Sequence, residues 1–287
     1  MISPQTSFGY LSQGGPSHYK HKSWKHPFLV VLVHYGLVAC FLLKGHDYFR
    51  ELKDIEYEQT VEARHAKEIG VFLIFYFLLL LCYRVLLNRS DKIQQIGCVY
   101  ECTWLCNSSL FFGAIGLLTG RHLLVQAHMI TVSIDQVLWY VDLAGYAIFR
   151  KFPVGVAKYL TWPNTTIFTN ITCTHHVWTI PLLMYATDGL KNNHDAYTFS
   201  AFVMTVSVLL SRWMTPFYIQ YEKKSETKYL NVNLSHELWK DIKFSALQIQ
   251  HDNPSTPVYL FRLLWRWQLF NGIMYLLVLR PLSSVWF

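Results

Sequence analysis

Three thiols and two imidazoles sit in apolar parts of this sequence. Cys98, Cys102 and Cys106 recur every four residues in GCVYECTWLCNSSLFFGAIGLL, and His175 and His176 stand together in CTHHVWTIPLL. Such side chains are costly to bury in an apolar stretch and mark function by default when they occur there. A thiolate attacks ester and thioester carbonyls, and an imidazole within hydrogen-bond reach takes and returns the proton. The chemistry this pairing offers is acyl transfer. The three Cys share one face of a helix, a pattern that equally suits packing. Asn107, Ser108 and Ser109 follow Cys106 and offer donors for a developing oxyanion. Adjacent helical residues point about 100° apart, so the spacing predicts that only one of His175 and His176 meets a given site.

The stretch HLLVQAHMITVSIDQVLWYVDLAGYAIF adds Asp135, Gln136 and Asp142, with His128 and Trp139 on the face of the two Asp. A zinc site from Cys98, Cys102 and one His is the alternative chemistry. Zinc sites draw on tight loops or His-x3-His pairs, and His122 and His128 are six apart. No metal and no cofactor is therefore expected.

The elements that must position these residues read as membrane spans. The chain has 287 residues, 52% hydrophobic and 15% charged, against about 25% charged in soluble domains. Apolar runs of spanning length cover residues 27–43, 69–87, 97–118, 122–149, 167–187, 196–218 and 258–279. The expectation is an all-α, polytopic membrane bundle of about six to seven helices, with a polar tail over 1–26 and one transmembrane domain over 27–287. No secretory signal peptide is recognisable. Residues 44–68 read as a charged solvent-facing helix, and 229–250 as an amphipathic helix lying on the membrane. The six Cys all fall in apolar stretches, which is no disulfide framework. The net charge of +7 lies in loops, without the basic, aromatic-interleaved blocks of nucleic-acid binding, and suits anionic lipid headgroups. Membrane lipids are the expected partners, with partner membrane subunits as a further possibility. The expected location is an intracellular membrane.

The stretch LCNSSLFFGAIGLLTGRHLL, then DQVLWYVDL, then a His in the next span, resembles the integral membrane family of transmembrane protein 164 and its bacterial relatives. The resemblance covers about residues 98–186 and extends to the androgen-induced-gene-type lipid hydrolases. It implies a helical core and acyl chemistry on lipids. It implies Cys106 as nucleophile, followed by Asn107 and Ser109, with Gln136 and Asp142 as supports and His176 or His175 as the base. Asn107 stands where the family has Asp.

Three functions follow. The first is an intramembrane lipid acyltransferase or lipid hydrolase using Cys106 and His176. The second is a non-catalytic subunit or scaffold of a membrane complex, docked through the tail and the 217–257 loop. The third is a proton- or ion-coupled transporter with Asp135, Asp142 and the His residues as a path. The spans read as lacking the interrupted helices that transporters use.

Overall fold

A computed structural model describes residues 19–21, 25–52, 65–87, 92–162, 165–187, 194–221, 227–238, 249 and 255–286. Helices dominate it, as the all-α reading requires. They are α1 (Lys25–Leu52), α2 (Ala66–Leu87), α3 (Lys92–Glu101), α4 (Leu105–Leu118), α5 (His122–Thr131), α6 (Ser133–Phe149), α7 (Ile167–Cys173), α8 (His175–Ala186), α9 (His194–Met214), α10 (Thr256–Met274) and α11 (Arg280–Trp286). A π-helical turn, Tyr275–Leu279, joins the last two. Two helices, over Pro27–Glu51 and Ala66–Leu86, are long and apolar enough to cross a membrane.

Three short strands are an addition the sequence did not announce. β1 (Tyr19–His21) runs parallel to β2 (Tyr218–Tyr221), which pairs antiparallel with β3 (Thr227–Tyr229). Ile219 of β2 packs with Ile96, Tyr100, Leu230 and Val232, so the segment after α9 folds into the protein beneath α3. The amphipathic helix expected over 229–250 is absent where the chain is described. A 3-10 turn at Val232–Leu234 stands there instead, with Leu234 and Leu238 buried. Its apolar residues fill an interior rather than a membrane surface. Residues 239–248 and 250 lie outside the described residues. In the expected 44–68 connector, α1 continues to Leu52, and 53–64 lie outside the described residues, as does most of the 1–26 tail.

The contacts group the chain into two units, one of residues 1–43, 78–108 and 204–266, the other of 44–77, 109–203 and 267–287. The first turn of α4, with Cys106, belongs to the first unit, and the His pair to the second.

Three spans expected to be continuous are interrupted, and the interruptions fall beside the chemistry-bearing residues. Between α3 and α4 the chain turns through residues 102–104. Backbone groups freed in this way need partners inside an apolar protein. The Asn233 carboxamide supplies them. Its Oδ1 accepts from the Leu105 N–H at 2.7 Å, and its Nδ2 donates to Thr103 O at 3.1 Å and Ser211 Oγ at 2.8 Å. Asn233 holds a left-handed backbone, φ 53°, which Asn tolerates better than most residues. Between α5 and α6, at Val132, Asn271 plays the same part. Its Oδ1 faces the Ile134 N–H and Ser133 Oγ at 3.2 Å each, and its Nδ2 donates to Thr131 O at 3.1 Å. Between α7 and α8, at Thr174, the Tyr76 hydroxyl lies 3.2 Å from both Ile171 O and Thr172 O. The third interruption precedes the His pair, whereas Pro181 lies inside α8.

Candidate functional site: a thiol and two imidazoles at helix starts

His175 and His176 are the first two residues of α8. Each ring reaches back to the turn it follows, His175 Nδ1 to Thr172 O at 2.7 Å and His176 Nδ1 to Cys173 O at 3.0 Å. A carbonyl oxygen only accepts, so each Nδ1 carries the hydrogen. In the neutral ring each Nε2 then holds the lone pair. Both imidazoles are thus preset as bases or ligands through Nε2.

The two rings lie 4.1 Å apart between centroids, tilted by 37°. Both rings thus lie side by side within the second unit, against the expectation that adjacent residues of a helix must point apart. Cys106 stands in the first turn of α4, in the first unit. The 100° argument concerns Cα directions along an ideal helix. Here the pair follows an interruption, and both rings are drawn the same way by carbonyls of the preceding turn.

Other side chains fix the imidazoles. Trp139 stacks on His176, with centroids 5.1 Å apart at 19°. Tyr76 meets His175 edge-on at 6.3 Å. Tyr140 donates to Val177 O at 3.0 Å, tying α6 to α8. Sequence reading did not single out Tyr76 or Tyr140. Trp139 it noted only as lying between the two Asp.

The predicted supports separate into two kinds. Gln136 is fully buried, and neither atom of its carboxamide has a hydrogen-bond partner among the described residues. It lies one turn before Trp139, and helical side chains lean toward the N-terminus, so the two share a face. Asp142 belongs to the architecture. Its carboxylate accepts from the backbone N–H of Val154 (2.7 Å), Gly155 (3.0 and 2.9 Å) and Ala157 (2.9 Å). Those bonds fold the loop after α6 back onto it. Gly155, at φ 101°, takes a backbone conformation open chiefly to glycine. The loop then brings Ala157 and Tyr159 against Trp139 and Cys173, and Tyr159 OH donates to Cys173 Sγ at 3.2 Å. Asp142 therefore backs the wall on which His176 rests.

Asp135 is half-buried in the first turn of α6, where the helix dipole favours a carboxylate. Asn107 donates through Nδ2 to Glu101 O at 2.8 Å, and its Oδ1 has no hydrogen-bond partner among the described residues. Its donor is thus committed to closing the first interruption. Ser108 Oγ donates to Leu105 O at 3.2 Å, and Ser109 is fully buried. Cys98 lies in α3 and Cys102 in the turn after it. Both are buried, and Cys102 Sγ donates to Cys98 O at 3.2 Å. The turn at 102–104 ends the face that the three Cys would share on an unbroken helix. His128 stacks on Phe112 at 5.5 Å.

Chemically, the arrangement offers two neighbouring rings, each with its lone pair left on Nε2, as bases or as ligands for a borderline-soft cation. Cys106 is a half-buried thiol. Compared with family models, with curated proteins and with solved structures, the chain matches none.

Proposed function

We propose that this chain is a multi-pass membrane enzyme that transfers or hydrolyses the acyl groups of lipids, with Cys106 as nucleophile and His176 as general base. The observation that carries the reading is the His pair, its rings 4.1 Å apart and both Nδ1 atoms committed to carbonyls, which leaves each Nε2 to act as a base. The surface supports the membrane part. Leu32 and Phe41 on α1, Val71 and Phe75 on α2, and Phe261 and Trp265 on α10 are exposed, while His175, Gln136, Asn271 and Ser109 are buried. Polar inside and apolar outside suits a surface that meets acyl chains.

In this mechanism His176 Nε2 takes the Cys106 proton as sulfur attacks the ester carbonyl. The carbonyl π electrons move onto oxygen, and Gln136 Nε2 is the candidate donor to that oxyanion. Collapse breaks the ester C–O bond. The imidazolium returns the proton to the leaving alkoxide, and a thioester remains on Cys106. Water or a lipid hydroxyl then attacks the thioester, with His176 again accepting the proton. The products are a fatty acid or a new ester, and the thiol is regenerated.

The test is turnover of a fluorescent phospholipid in proteoliposomes. Cys106→Ala should abolish turnover without changing the melting temperature, and His176→Ala should reduce it by at least about 100-fold. A hydroxylamine-sensitive acyl group should accumulate on Cys106. Full activity in Cys106→Ala overturns the reading.

One observation favours a second reading. Metal-bound His residues commonly donate their other ring N–H to a backbone carbonyl, as both do here. His175 and His176 would then be two of the ligands of a zinc ion. Stoichiometric zinc in the purified protein, lost in both His175→Ala and His176→Ala, would establish it; its absence would leave the thiol reading.

A further inference from the structure

Arg212 is a buried cation for which the described residues provide no anion. It is 2% exposed, in the last turn of α9, and no carboxylate pairs with it among the described residues. Buried arginines are almost always paired. The described groups to which it donates are neutral. Nη1 donates to Ser235 O at 3.2 Å and to His236 Nδ1 at 2.8 Å. A guanidinium has no acceptor, so Nδ1 must hold the lone pair. His236 Nε2 then donates to Thr215 O at 3.0 Å, and the ring is neutral. Burial and the guanidinium together push its pKa down to about 3, so His236 adds no charge at neutral pH.

Nη2 donates to Thr256 Oγ1 at 3.2 Å. Thr256 opens α10, a helix of 19 residues. A helix start carries partial positive charge and N–H groups without intrahelical partners. A cation aimed at such a start is electrostatically unfavourable unless an anion joins them. Two buried polar atoms here have no hydrogen-bond partner among the described residues, Arg212 Nε and Ser235 Oγ. The unused capacity is thus a guanidinium N–H and a hydroxyl able to donate, beside a helix start whose first-turn N–H groups are those of Thr256 and Val258, since Pro257 has none and Tyr259 N–H donates to Ser255 O at 2.9 Å. A ligand that satisfies them needs several acceptor oxygens and negative charge. Phosphate has both and fits the guanidinium fork.

We propose that Arg212, Ser235 and the N-terminus of α10 form a binding site for a phosphate group, carried by a lipid headgroup or by free phosphate. The proposal does not depend on Cys106 or the His pair being catalytic.

The test uses the full chain purified in detergent and follows its thermal unfolding. Inorganic phosphate, dihexanoyl phosphatidylglycerol and the phosphate-free dihexanoylglycerol are titrated in parallel. A ligand that binds the folded state raises the midpoint by mass action. Saturable stabilisation by both phosphate compounds identifies a free-anion site, and stabilisation by the phospholipid alone identifies a headgroup site. Either outcome supports the proposal if Arg212→Gln removes the response. Should Arg212→Gln fail to fold, Ser235→Ala decides, since loss of one donor to a charged ligand should raise the half-saturating concentration about tenfold. No stabilisation by either phosphate compound, equal stabilisation by dihexanoylglycerol, or an unchanged response in Ser235→Ala overturns the proposal.

Discussion

The interruption before α4 and the interruption before α6 are closed by the same side chain from different kinds of structure. Asn233 comes from an irregular segment in which Asn231, Asn233 and Leu234 all have positive φ. Asn271 comes from the last turn of α10. In each case one carboxamide oxygen takes a freed N–H and the amide nitrogen gives to a freed C=O. Asparagine suits the task because it presents one acceptor and two donors at the end of a short arm. The difference lies in what stands behind the arm. The helix holds Asn271 through regular backbone bonds. The segment holding Asn233 depends on its own contacts, including Asn231 Oδ1 accepting from the His236 N–H at 3.0 Å and Arg212 Nη1 donating to Ser235 O. One clasp is rigid by construction, and the other is only as firm as a loop.

The largest effect that would test this contrast is expected from Asn233→Leu. It removes three hydrogen bonds, one to the first residue of α4, one to Thr103 two residues before it and one to Ser211 on α9, and a displacement of about 1 Å at a reacting group can cost about 100-fold in rate. Lipid turnover should fall by that order, and alkylation of Cys106 by a lipid-soluble maleimide, read by peptide mass spectrometry, should change with it. An unchanged alkylation rate would break the link between the clasp and the thiol.

Asn271→Leu comes next. It leaves the Ile134 N–H without its side-chain acceptor, and a buried unsatisfied group costs about 1–3 kcal/mol. The unfolding midpoint should drop by several degrees while Cys106 alkylation stays near wild type. If both Asn variants change alkylation alike, the two clasps are one unit and the contrast fails.

Acid should sharpen the comparison further. His236 stays neutral in the folded chain down to about pH 3, whereas its ordinary pKa is 6.5. Between those values the unfolded chain binds the extra proton, so the contribution of His236 is full above about pH 6.5 and declines as pH falls toward 3. Amide exchange over 231–238 should therefore rise between pH 7 and pH 4.5, after correction for intrinsic rates, more than over 268–274. Equal changes would show that the loop is no weaker than the helix. The smallest effect belongs to Tyr76→Phe at the third interruption. Its hydroxyl makes contacts at 3.2 Å, and its loss should cost about 0.5–1.5 kcal/mol by denaturant titration.

These interruptions also explain what the sequence could and could not reveal. α1 and α2 were legible because a long apolar run needs no distant partner to be a helix. So were Cys106 and the His pair as residue types out of place. The interruptions were not, because the groups that stabilise them lie 128 residues from Leu105 and 137 from Ile134. Local propensity reads each stretch as continuous. The side-by-side placement of both imidazoles was hidden for the same reason, since it follows the break at Thr174. Leu234 and Leu238 have helical spacing and were read as a surface helix; their burial in an irregular segment overrode it. Asn271, inside LWRWQLFNGIM, was the one readable signal left unused, an amide in an apolar run.

The separation in sequence has a consequence for how the protein is made. At roughly 5–20 residues per second, Leu105 leaves the ribosome many seconds before Asn233, 128 residues later, exists to receive it. Asn271 follows Ile134 by 137 residues. The nascent chain must carry both stretches past that point with their interruptions unfastened, and α10, made long after α5 and α6, fastens the second. A polypeptide stopped anywhere before residue 271 lacks that fastening.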